Sequence, residues 1–140
     1  MKQHAHAPIR PERLTQALTF ALLASFSLVA LADQDVQSSD GQWKLHAKVA
    51  TAFAVKKIEE ATIDVKPAGG GSACPAVSSV VFEMPAHGHG GDKSPEVMSM
   101  GSCQFHVTNL SASMGGEWRL RLVLKSGDKS SNADFSFPAK

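Results

Sequence analysis

The chain reads as an all-β protein, a single two-sheet antiparallel β-sandwich of about seven strands that follows a cleaved signal peptide. Three observations carry this reading. Apolar residues recur with period two through most of residues 43–137, no segment makes a convincing amphipathic helix, and Gly- or Pro-containing turns separate the short runs. A small barrel would share the pattern, because it also buries one face of every strand.

The first 32 residues read as an export leader. Lys2, Arg10 and Arg13 are positive, residues 17–30 form an uncharged apolar run, and Ala30-Leu31-Ala32 makes a small-x-small cleavage site before Asp33. The run is shorter than the roughly 20 apolar residues that a spanning helix needs, and polar sequence follows at once. Residues 1–32 are therefore expected to be a signal peptide and 33–140 one mature domain, periplasmic or secreted. The alternative is an uncleaved leader acting as an anchor. No Cys stands at the cleavage site to accept a lipid, and no membrane insertion is expected after cleavage.

Within the mature part the strands come in order. Trp43, Leu45, Ala47 and Val49 alternate with Lys44, His46 and Lys48. Residues 56–61 (KKIEEA) could form a helical turn. Ile63 and Val65 alternate with Thr62, Asp64 and Lys66 until Pro67 and the glycines at 69–71 break the strand. Val80, Phe82 and Met84 share the next face, and Val97 to Met100 make a short edge strand bounded by Pro95 and Gly101. Cys103, Phe105 and Val107 follow, then Trp118, Leu120, Leu122 and Leu124 facing away from Arg119 and Arg121. Ser126-Gly127-Asp128 turns the chain into Ala133, Phe135 and Phe137, which Pro138 ends.

Composition narrows the function. The whole chain has a formal net charge of +1, and without the leader the signs nearly balance. Scattered charge of both signs leaves no footprint for nucleic acid or an anionic membrane. Cys74 and Cys103 are the only two cysteines. In an oxidising compartment such a pair is expected as one disulfide; the rival is a thiolate metal site, which lacks any Cys-x-x-Cys.

One segment carries chemistry. Met84-Pro85-Ala86-His87-Gly88-His89-Gly90 closes an apolar strand with two imidazoles and a thioether. Pro85 ends the strand, so His87 and His89 fall in a turn, and Gly88 lets the chain bend between them. Neutral imidazole suits copper, zinc and nickel, whereas thioether sulfur selects Cu(I). Met84, Met98, Met100 and Met114 are the methionines of the mature part. Each also has a plain packing role: Met84 continues the Val80/Phe82 face, Met114 could plug the end of the sandwich, and Met98 and Met100 could belong to either face of an edge strand. His46 and His106 are expected as surface histidines.

Residues 80–137 resemble the YtkA-like domain, a small exported bacterial immunoglobulin-like sandwich. The landmarks are MPAHGHG at 84–90, Pro95-Glu96-Val97, the strand from Gly101 to Val107, and Met114-Gly115-Gly116-Glu117-Trp118 followed by Leu120, Leu122 and Leu124. Phe105 stands where the family has a tyrosine. Residues 33–75 carry no landmark. The resemblance implies an immunoglobulin-like fold and copper handling, with Met84, His87, His89 and Met114 as the suspected ligands. The chaperones that load the oxidase copper centre use a His-x-Met that this chain lacks.

The expected function is a non-catalytic module that holds or passes copper, as Cu(I) or Cu(II). His87 and His89 would be its principal ligands, with Met84, Met98, Met100 or Met114 completing the site and a copper donor or acceptor protein as partner. The alternative is a structural or protein-interaction domain in which MPAHGHG only shapes a loop. No enzyme is expected, because the mature chain has no G-x-S-x-G, no phosphate loop and no H-E-x-x-H.

Overall fold

A computed structural model of the chain describes residues 31–140, with side chains from Asp33 onward. It is an antiparallel β-sandwich. One sheet has five strands, in the order β1 (Leu31–Gln37), β2 (Trp43–Ala50), β3 (Ile58–Pro67), β7 (Gln104–Ser111) and β6 (Glu96–Gly101). The facing sheet has four, in the order β5 (His89–Gly90), β4 (Ala76–Met84), β8 (Gly116–Ser126) and β9 (Lys129–Ala139). Leaving β1 aside, the order of strands in each sheet is that of the immunoglobulin-like sandwich, and the chain changes sheet at β3–β4, β5–β6 and β7–β8.

The alternation in the sequence becomes the core. Leu45, Ala47, Ile63, Val65, Phe105 and Val107 point inward from the larger sheet. Phe82, Met84, Trp118, Leu120, Leu122, Leu124, Phe135 and Phe137 meet them from the smaller one. Phe53, on the connection after β2, enters the same core, stacks on Phe137 at 4.8 Å and lies 5.5 Å from the ring of Phe82. Alternation fails at one place. β7 carries a bulge near Asn109 (φ +60°), so the next inward residue after Val107 is Leu110.

There are nine strands among the described residues, against about seven expected. The additions are β1, a polar strand paired with β2 from Leu31↔Ala50 to Gln37↔Lys44, and the two-residue β5. The leader expected at 1–32 lies outside the described residues except for Leu31 and Ala32, the first two positions of β1.

No helical turn forms at residues 56–61. Lys57 N–H closes a tight turn onto Ala54 O at 3.1 Å, Lys56 takes a left-handed φ of +63°, and its N–H goes to Ala112 O at 2.8 Å. From Ile58 the chain pairs with β7, starting at Ser111. Non-local pairing supplies these backbone groups with partners, so a short local helix has nothing to add.

The disulfide expected between Cys74 and Cys103 is present, with Cα atoms 5.3 Å apart. It joins the segment entering β4 to the β6–β7 turn and so staples one sheet to the other. The rim that carries Met84 and His89 lies at the opposite end of β4.

On the outer face of the smaller sheet, Arg121 forks onto Asp134 through Nε and Nη2, both at 2.7 Å. Arg119 pairs with Glu83 on its other side. The Arg121 guanidinium holds the Asp134 carboxyl below its ordinary pKa, against a smaller opposing effect of burial. A depressed carboxylate pKa contributes stability above the unfolded value, and that contribution is lost as pH falls through the folded one. Acidification below about pH 4 is therefore expected to weaken the domain. In urea unfolding followed across this range, Asp134→Asn should be less stable than the parent at neutral pH and show a flatter acid limb. Parallel pH profiles for the two proteins would rule this linkage out.

Candidate metal-binding rim

β4 ends at Met84, whose carbonyl accepts two backbone N–H groups, from His87 at 3.1 Å and from Gly88 at 2.9 Å. This closes a tight turn over Pro85-Ala86-His87. Gly88 takes a φ of +66°, the left-handed conformation that glycine adopts without strain. The chain then pairs back onto β4, with Met84↔His89 and Glu83↔Gly90 in register. His89, expected from sequence within the turn, thus opens a two-residue strand.

The turn brings the two imidazoles together. The ring centroids of His87 and His89 are 5.9 Å apart and tilted by 47°. His87 is exposed and His89 half-buried. Nδ1 of His89 lies 3.0 Å from Gly90 O. A carbonyl oxygen can only accept, so this contact places the proton on Nδ1 and leaves the Nε2 lone pair available.

Trp118 is the floor of the rim. It is fully buried, stacks on Phe82 at 5.0 Å, and meets the His89 ring edge-on at 5.7 Å. Its Nε1–H donates to Met114 O at 3.0 Å. That bond ties the β7–β8 connection, and with it the partly exposed Met114, to the ring on which His89 rests. Met84 is buried, and its thioether methyl occupies the space beside Gly116 where any side chain would stand. Gly116 also has a φ of +135°, so the position is reserved for glycine twice over.

Of the six residues expected to bind metal, four therefore lie at one end of the smaller sheet: Met84, His87, His89 and Met114, the last on the connection whose carbonyl Trp118 holds. Met98 and Met100 do not join them. They lie on β6 in the other sheet, 62% and 58% exposed. Met98 is in register with His106 of β7, and Met100 stands two residues further from the rim.

Among the described residues no group of three or more His, Cys, Asp and Glu is placed to hold an ion. Thioether sulfur is the donor type that Met84 and Met114 would add to the two imidazoles. Sequence reasoning missed Trp118 and Gly116 as the supports of this end. The Met-Gly-Gly-Glu-Trp run was the available signal, since a glycine pair two residues before a core Trp marks close packing. Comparisons with protein families, with curated proteins and with solved structures found no match to the chain.

Proposed function

We propose that the protein is an exported, non-catalytic β-sandwich module that binds and passes copper at this rim. The observation that carries the reading is the convergence of His87 and His89, 5.9 Å apart, on a turn whose register partner is Met84. Donor chemistry supports copper. Two neutral imidazoles suit Cu(II), and the thioethers of Met84 and Met114, at the same end of the sheet, match Cu(I) after reduction. Copper binding is also what the resemblance to YtkA-like domains implies. The half-open setting, with His87 exposed and Met84 buried, suits an ion delivered and collected by a partner protein in the periplasm.

The test is anaerobic Cu(I) titration against a competing chelator, together with Cu(II) titration in air. His87→Ala/His89→Ala should weaken copper at the rim by about a hundredfold or more, since even outer-shell groups are worth 10–100-fold. If the double variant binds as tightly as the parent, the reading is wrong.

A second reading has its own observation. His89 already packs against Trp118, and Met84 already fills the space beside Gly116. On that basis the turn would be a structural plug in a domain that recognises other proteins. It predicts that His89→Ala lowers unfolding stability in metal-free buffer while copper leaves the parent's thermal midpoint unmoved. The copper reading predicts a midpoint that rises with added metal.

A further inference from the structure

Met98 and Met100 are stranded from the rim, yet they are not isolated. β6 is an edge strand, and its exposed methionines gain no burial from where they stand. Met98 faces His106 across the β6–β7 ladder. Phe105 and Val107 point into the core, so His106 and its register partner Met98 both point outward. A bulge between Ser99 and Gly101 sets Met100 and Gly101 together against Gln104, the next outward residue of β7, which is fixed by its bond to Asp64 at 2.9 Å. Two thioethers and one imidazole thus share a patch of the outer surface. Directly opposed side chains in such a ladder have Cβ atoms about 5 Å apart, within reach of one ion.

The imidazole is oriented for this. Nε2 of His106 lies 3.3 Å from Glu60 Oε2, a carboxylate on β3. Among the described residues no group engages Nδ1. With Nε2 turned toward this carboxylate, Nδ1 is the ring nitrogen left to face a metal, the carboxylate–histidine placement found behind metal-bound histidines.

We infer that His106, Met98 and Met100 form a second, separate soft-metal site on the outer face of the five-stranded sheet, specific for Cu(I) or Ag(I). A donor set of one neutral imidazole and two thioethers contains no anionic ligand. It therefore discriminates against Zn(II) and Cu(II), which favour nitrogen, oxygen or thiolate donors. The site shares no residue with the rim and does not depend on it. The chain would take up about two equivalents of Cu(I), one on each sheet.

The experiment uses Ag(I), a redox-silent probe, added to protein with 13C-labelled methionine methyl groups. Saturation should shift the Met98 and Met100 methyl signals together with the His106 ring. His106→Ala should abolish those two shifts, and Glu60→Gln should weaken them by about tenfold in affinity. Met98→Leu/Met100→Leu keeps the side-chain volume and removes only sulfur, and should lower the Cu(I) stoichiometry by one. His87→Ala/His89→Ala should leave the Met98 and Met100 shifts intact, while signals from Met84 and Met114 report the rim. The inference is overturned if Met98 and Met100 stay unmoved at saturating Ag(I), or if they shift equally in His106→Ala. Zn(II) that moves them as strongly as Ag(I) would overturn the assigned selectivity.

Discussion

Replacing Trp118 by alanine should remove about 3–5 kcal/mol of stability, the cost of deleting a large buried aromatic. Small domains hold only about 5–15 kcal/mol in total, so this variant is expected to be partly unfolded at ambient temperature. The loss has three sources. The indole is fully buried and stacked on Phe82, it supports the edge of His89, and its N–H satisfies the Met114 carbonyl. Urea unfolding followed by circular dichroism measures the effect without relying on Trp118 fluorescence. Trp118→Phe separates the roles. It keeps most of the stacking and loses the N–H, so it should fold, with a cost of about 1 kcal/mol for the lost hydrogen bond. It should also weaken copper at the rim, because the Met114 loop is no longer tied down. Rim affinity unchanged in Trp118→Phe would show that Met114 contributes no ligand.

Cys74→Ala/Cys103→Ala should cost about 3–4 kcal/mol, from loop-closure entropy returned to the unfolded chain. The sequence separation of 29 sets that size. Location adds to it. Ser102 and Cys103 both take left-handed φ, +51° and +59°, in the two-residue β6–β7 turn, a conformation that costs non-glycine residues energy. With the bridge gone, nothing covalent holds this turn against the chain entering β4. The same loss should follow when reductant is added to the parent. Because the bridge lies at the end of β4 away from Met84, copper affinity of the folded fraction should be unaltered. Equal urea midpoints in the presence and absence of reductant would contradict the stapling role.

Much of the site was legible because its cause is local. Pro85 cannot continue a ladder and Gly88 tolerates a left-handed turn, so His87 and His89 had to meet on a bend whatever lay around them. Met84 could not be assigned in the same way. Its burial and its approach to Gly116 depend on β8, more than thirty positions away in the chain. The grouping of Met98 and Met100 with the rim failed for a related reason. Their thioethers are as soft as that of Met84, but chemistry says nothing about which sheet a strand joins.

The amino-acid sequence by itself determined the all-β class, the inward faces of most strands, the single available cysteine pairing and the His-Gly-His bend. Each follows from side-chain alternation or from a residue's own backbone preference, which act over a few positions. Tertiary structure alone decided that residues 31–37 become β1, that Leu110 replaces a strictly alternating position in β7, and that residues 58–61 extend β3. It also decided that the methionines divide between two sheets. These outcomes depend on long-range strand pairing, where register and the supply of backbone hydrogen bonds override local preference.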